Sequence, residues 1–231
     1  ARFVNYTSYP RGINGLMLDL LDAADGDGLT AADFSVAVGN DNAPSGWTTA
    51  PEPLPITIRR GAGTDGADRV TFRWEDNEIE NRWLQVTVLA TPATGLLAPD
   101  VFYFGNAIGE AGDNPINAIV NATDEITARN FRHGPLTPAA IDDRYDYNRD
   151  KQVNGNDQVI ARSNQTNPLT MLRLIAPPAT KATPSPQTPT DTAALDWLYE
   201  YEQTNAKQAT SKKTTPTREA VDQLLATDWA S

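Results

Sequence analysis

Asp146-Tyr147-Asn148-Arg149-Asp150-Lys151-Gln152-Val153-Asn154-Gly155-Asn156-Asp157 sets oxygen-bearing side chains at positions 1, 3, 5, 9 and 12 of a twelve-residue run. A loop with this spacing can wrap about six or seven oxygens around a calcium ion, the position-7 carbonyl (Gln152) included. Calcium is a hard cation and prefers carboxylate, amide and carbonyl oxygen to nitrogen or sulfur. The residues that follow, Gln158 to Asn164, include good helix formers, with Val159, Ile160 and the methyl of Ala161 available for packing. The expected metal ligands here are Asp146, Asn148, Asp150, Gln152, Asn154 and Asp157.

The same pattern occurs earlier in a weaker form. Shifted by 33 residues, Val153, Asn154, Asp157, Ala161 and Arg162 fall on Val120, Asn121, Asp124, Ala128 and Arg129. In the same register Pro168-Leu169-Thr170 falls on Pro135-Leu136-Thr137. A match running through loop, helix and exit turn is an internal repeat. It assigns the first loop Asp113 at position 1, Asn117 at 5, the Ile119 carbonyl at 7, Asn121 at 9 and Asp124 at 12. Position 3 is Pro115, which carries no side-chain oxygen. Ankyrin and helical-pair arrays have a similar period, but they need three or more copies and a helix pair in each.

The charge balance sharpens this reading. The 231 residues carry a formal net charge of −11, which argues against a nucleic-acid partner or an anionic membrane surface, since both ask for a basic face. Clustered carboxylates repel one another unless something positive joins them, and a divalent cation does so economically. The absence of cysteine excludes thiolate zinc sites, disulfides and thiol catalysis. No stretch approaches the roughly 18 apolar residues of a membrane span. The opening Ala1-Arg2-Phe3-Val4 shows no signal-peptide pattern, so the chain is expected to be mature, processed or a fragment.

Upstream, residues 1–105 read as an antiparallel β-sandwich. Gly15–Leu21, Phe34–Val38, Ile56–Ile58, Arg69–Trp74 and Trp83–Leu89 are short runs rich in β-branched and aromatic residues, separated by Gly, Asp, Asn and Pro clusters. Five or six strands are few for a free-standing sandwich. The first strands are therefore expected to lie upstream of Ala1 or to come from another chain. Residues 106–175 hold the two loop–helix units. A Pro/Thr-rich linker is expected over 176–190, extended and without core-forming residues. A helical tail over 191–231 follows, capped at Asp191 and restarting at Thr215-Pro216.

The paired loops resemble type I dockerin modules, calcium-binding units of secreted bacterial proteins that bind cohesin partners. The whole of 1–175 is similar to a C-terminal region recurring in large secreted planctomycete proteins. Arg11–Met17, Val38–Asn42, Trp83–Ala90, Val101–Glu110 and Asp157–Arg162 carry that likeness. The resemblance implies an extracellular or cell-surface β-sandwich fused to a dockerin-like module, with Ca2+ as its ion. Its partner would be a cohesin-like protein or a neighbouring subunit, a homo-oligomer included. The dockerin start can also be read at Asn106, with Glu110 as second ligand and an insertion before Asn121; the repeat match favours Asp113. Position 6 of an EF-type loop is usually glycine because the backbone turns there with positive φ. It is Lys151 in the second loop and Ala118 in the first, each expected to cost about 1 kcal/mol of strain. Both loops are expected to bind in roughly the 10⁻⁴ M range of extracellular modules, the first more weakly.

Other residues invite blander readings. Asp22 to Asp33 misplaces its oxygens for a third calcium loop and reads as a strand connection. Trp74, Glu75, Asp76, Glu78, Glu80 and Trp83 could outline a sugar cleft with paired carboxylates. The simpler reading makes Trp83 core and the acids an exposed turn. A lone histidine, His133, with no G-x-S-x-G makes a hydrolytic triad improbable. The expected function is non-enzymatic: a secreted calcium-binding attachment module. The alternatives are a subunit of an extracellular surface assembly and, less favoured, a fragment of a carbohydrate-active enzyme.

Overall fold

Alternation fixes the frame. In β7 (Trp83–Val88), Leu84, Val86 and Val88 turn to one side and are buried in the larger core. Trp83, out of phase with them, is equally buried in a separate cluster on the other side. A strand covered on both faces lies between two packed layers. The structure, a computed structural model, describes residues 1–21, 23 and 28–176. It is mainly β, with two sheets and two α-helices among those residues.

One sheet has β7 at its centre. The strand order is β1 (Tyr6–Thr7), β8 (Asp100–Asn106), β7, β3 (Phe34–Gly39), β4 (Thr48–Thr49). The other is β2 (Gly15–Leu20), β6 (Asp68–Arg73), β5 (Thr57–Arg59). Every pairing is antiparallel except β1 on β8, which is parallel in the register Tyr6↔Gly105 and Thr7↔Asn106. The shared core takes Leu16, Leu20, Val70 and Phe72 from the small sheet and Phe34, Val38, Leu84, Val86 and Val88 from the large one. Phe34 meets Phe72 edge to face across it, with ring centroids 5.1 Å apart.

All five strands expected from the sequence are present, with ends shifted by a residue or so. Three more join them: the two-residue β1 and β4, and the seven-residue β8. The described strands thus number eight rather than five or six, and β8 crosses the expected boundary at residue 105. All described residues belong to one unit, Ala1–Pro178. The expected tail, the linker from 177 onward, Asp22 and residues 24–27 lie outside the described residues.

The helices are α1 (Ala122–Asn130) and α2 (Gly155–Ser163). They pack through Ala128 and Ala161, both fully buried, with Tyr147, Val120 and Val153 filling the small core between them. Ile160 is partly buried beside it, whereas Val159 turns to solvent. A third cluster joins this segment to the outer face of the large sheet: Trp83, Tyr6, Ala107, Ala118, Leu172 and Ile175. The Trp83 indole N–H donates to the Arg173 carbonyl at 2.7 Å, so a buried aromatic is both packed and hydrogen-bonded.

Candidate metal centre

Residues 33 apart play the same parts. Each helix starts on an asparagine whose Oδ1 accepts a backbone N–H two residues on: Asn121 from Thr123 at 2.8 Å, Asn154 from Asn156 at 2.7 Å. In each first turn a buried aspartate closes the reciprocal cap. Asp124 Oδ2 accepts from Asn121 N at 2.8 Å and Asp157 Oδ2 from Asn154 N at 2.9 Å. The other oxygen reaches across the loop, Asp157 Oδ1 to Tyr147 N at 2.8 Å and Asp124 Oδ1 to Ala111 N at 2.9 Å. Further along, Asp150 Oδ1 accepts from Gln152 N and Asn117 Oδ1 from Ile119 N.

The two units also brace each other. The residue just beyond α1, His133, exchanges backbone hydrogen bonds with Val153 of the second loop, at 3.2 and 3.0 Å. Its counterpart beyond α2, Thr166, donates its N–H to Val120 O and accepts from Val120 N through Oγ1. Ala139 N donates to Lys151 O, and the equivalent pair, Leu172 and Ala118, forms a β-bridge. The internal repeat in the sequence is thus a repeat of hydrogen bonding.

Its first few residues break the symmetry. Ala111 donates to Asp124 as Tyr147 does to Asp157, so the residue before it, Glu110, stands where Asp146 stands. The first loop therefore runs Glu110–Asp124, three residues longer than Asp146–Asp157. That insertion moves Asp113, the expected position 1, past that place. It nevertheless turns back, and carboxylate oxygens of Glu110, Asp113 and Asp124 lie within 4.8 Å of one another. Asn106, the alternative start, serves the sandwich instead: its Oδ1 accepts from Asn81 N and its Nδ2 donates to the Thr7 and Tyr9 carbonyls. The glycine before the loop and the one inside it are required by geometry. Gly109 has φ +77 and lies so close to α2 that a Cβ would meet the Ala161 Cα at 2.9 Å; Gly112 has φ +70 and lies against the Phe3 ring.

Position 6 divides the loops as well. Lys151 has φ 68, the left-handed turn the spacing demands, and Arg149 before it has φ 59. Ala118 is not among the residues with positive φ; it is fully buried and bridges to Leu172. The strain expected at Ala118 is therefore not present, because the longer loop turns earlier, at Gly112.

Electrostatically the clusters also differ. Burial pushes Glu110 up to about 7, a hydrogen bond from Tyr6 partly offsetting it and Asp124 adding repulsion. Burial likewise raises Asp124 to about 6 against the pull of two backbone N–H groups. Glu110 Oε2 accepts from Tyr6 Oη at 2.5 Å and from Gly112 N at 2.9 Å, whereas Oε1 is buried without any partner. In the second loop burial raises Asp146 and Asp157 too. There the oxygens are answered from within the loop: Asp146 accepts from Asp150 N at 3.1 Å and Lys151 N at 2.8 Å. Asp146, Asp150 and Asp157 do not draw together as tightly as the first-loop acids, the three-carboxylate group found among the described residues. Asn148 and Asp150 bond to each other, Asn148 Nδ2 donating at 3.0 Å.

Three carboxylates, one wholly buried with an oxygen lacking any donor, suit a hard divalent cation. Glu110 is a residue that the leading sequence register left out. The alternative start at Asn106 included it as a second ligand, but the insertion hid its equivalence to Asp146.

The remaining singled-out residues fall outside this cluster. Trp83 is core, and Glu75, Asp76 and Glu78 lie on an exposed turn, where Asp76 pairs with Arg11. His133 sets Nδ1 3.0 Å from the Thr137 carbonyl and Nε2 3.4 Å from Asp143. Among the described residues no helix is long and apolar enough to cross a membrane. Compared with known proteins, the chain matches no family model, no curated protein and no solved structure.

Proposed function

We propose that residues 106–175 are a calcium-held structural module, dockerin-like in plan, through which a secreted bacterial protein attaches to a protein partner. The observation that carries this reading is the pair of loops closed in the same way. In each, the last acid bonds back to the backbone N–H of the residue after the first acid. That arrangement occurs twice within one small fold, and in the first loop it brings three carboxylates within 4.8 Å of one another. Burial raises the proton affinity of the first and last acid of each loop, with neighbouring carboxylates adding to it, and a divalent cation relieves that condition.

The ligands would be Asp146, Asn148, Asp150, the Gln152 carbonyl, Asn154 and Asp157 in one loop. In the other they would be Glu110, Asp113, Asn117, the Ile119 carbonyl, Asn121 and Asp124. Oxygen-only ligands at EF-type spacing favour calcium over transition metals. The cation would screen the acids and stiffen the loops, so that binding free energy appears as stability. The surfaces offered to a cohesin-like partner would be the helix starts, where Ala122, Thr123, Gly155 and Asn156 are all exposed. Thermal unfolding in EDTA and then in millimolar calcium tests the reading. A rise of several degrees on adding calcium is expected; a melting curve that ignores both reagents would sink it.

One observation favours a second reading, a subunit of an extracellular assembly. β2 is a six-residue edge strand with Met17 more than half exposed, an edge that a neighbour's strand could extend. Light scattering separates the two: the assembly requires mass that grows with concentration, and the attachment module a calcium-loaded monomer.

A further inference from the structure

We propose that Tyr6 is a positioning residue for the Glu110 cation site, and that the cation thereby fastens the N-terminal strand of the sandwich to the loop module. The inference rests on the reading that the first loop holds a divalent cation, and it names what controls that site from outside the loop.

The strand in question is weak by itself. β1 has two residues, and its ladder on β8 reaches only Tyr6 and Thr7. Other bonds tie the segment to the start of the module: Ala107 N donates to Thr7 O at 2.9 Å and Gly109 N to Ser8 O at 3.1 Å. Phe3 packs against Gly112 and meets Tyr6 edge to face at 5.3 Å, and the Arg144 guanidinium lies over its ring at 5.1 Å from the centroid. The N-terminal segment is therefore one wall of the first loop.

Tyr6 is the point where that wall meets the acids. Its ring is buried against Trp83, and its hydroxyl has one proton to give, which goes to Glu110 Oε2. Gly112 N donates to the same oxygen. Two donors on Oε2 fix the carboxylate's rotation and leave Oε1, buried and unpartnered, as the oxygen free to ligate. Removing an outer partner of this kind characteristically weakens metal binding by about 10- to 100-fold. Pull on Glu110 by the cation and pull on Glu110 by Tyr6 then act on one carboxylate from opposite sides. Seating the cation should seat the strand.

Tyr6→Phe keeps the ring and removes only the donor. Calcium titration calorimetry on the full chain should show two classes of site, one weakened about tenfold in the variant and one unchanged. Hydrogen exchange gives an independent reading. In the wild type, calcium should slow exchange of the Ala107 and Gly109 amides; in Tyr6→Phe that slowing should disappear. Asp113→Asn, an exposed change that keeps Tyr6, should abolish the same slowing by emptying the site. Unchanged affinities in Tyr6→Phe would overturn the proposal, as would an equal fall at both sites or amide protection that persists in either variant. A wild-type chain that takes up no calcium would instead overturn the calcium reading on which the proposal stands.

Discussion

The two loops differ in a way opposite to their sequences. The second has the better pattern, five side chains in place and twelve residues, yet its acids are largely satisfied by the N–H groups of its own backbone. The first matches poorly and is longer, yet it gathers three carboxylates within 4.8 Å, buries Glu110 and Asp124 completely and leaves one Glu110 oxygen without a partner. Ligand-type residues at the right spacing therefore do not measure how strongly a loop needs a cation. Burial and unanswered charge do. Backbone hydrogen bonds let the second loop hold its shape without an ion, while the first stores repulsion that an ion would release.

The largest expected effect tests the self-sufficiency of the second loop. Asp157→Ala deletes a buried acceptor that joins the cap of α2 to the start of the loop, and leaves two N–H groups unpaired. With charge-assisted bonds at about 1.5–3 kcal/mol each, urea denaturation in EDTA should show a loss of about 3–5 kcal/mol. A loss under about 1 kcal/mol would mean that the loop is not held by its own bonds, and the contrast with the first loop would fail.

A reversal of sign is expected next, at Glu110. In EDTA near pH 8, Glu110→Gln removes a buried negative charge while keeping an acceptor for Tyr6 and Gly112. It should stabilise the chain by on the order of 2 kcal/mol, given about 1.4 kcal/mol for each pKa unit of displacement. In saturating calcium the same variant should be less stable than wild type, because it has lost a ligand. The equivalent change at Asp146, whose oxygens are already answered, should give no such crossover.

Proton linkage sharpens the same point. Glu110 titrates near 7 and Asp124 near 6 in the folded chain, both above their values in an unfolded chain. Between about pH 4 and 7 the folded state then holds more protons than the unfolded one, so stability falls as pH rises and levels off above that window. In EDTA the wild type should therefore be more stable at pH 5 than at pH 8, and most of that slope should vanish in Glu110→Gln. Melting curves across pH with and without calcium measure it. A wild type that gains stability between pH 5 and 8 in EDTA would contradict the picture of stored repulsion.

How much of this could be read from sequence follows from where the determinants lie. Five strands were legible because alternation in runs such as Trp83–Val88 reports two faces directly. The repeat was legible because α1, α2 and their caps depend on local residues, Asn121 with Asp124 and Asn154 with Asp157. Glu110 was obscured, since a fixed 33-residue shift cannot follow a three-residue insertion. β1 was hidden for another reason. A two-residue strand has no period, and it exists because Asn106, Ala107 and Gly109, about a hundred positions away, supply its hydrogen bonds. β8 carries aromatic residues at Phe102, Tyr103 and Phe104 that suit a strand, but none is fully buried, so no clean alternation marks it.

The smallest effects concern position 6, where the loops invite opposite substitutions. Lys151 holds φ 68, which costs an L-residue about 1 kcal/mol, and glycine adopts that angle freely. Against this, glycine loosens the unfolded chain, so Lys151→Gly should stabilise by only about 0.5 kcal/mol. Ala118 has no such angle to relieve, and its methyl is fully buried in the cluster with Trp83 and Leu172. Ala118→Gly should therefore destabilise, by about 1 kcal/mol from lost burial and added chain entropy. Urea midpoints for the pair, taken in calcium, should move in opposite directions. A shift of the same sign in both would mean that the loops turn alike at this position and that the extra residues after Glu110 do not replace the turn.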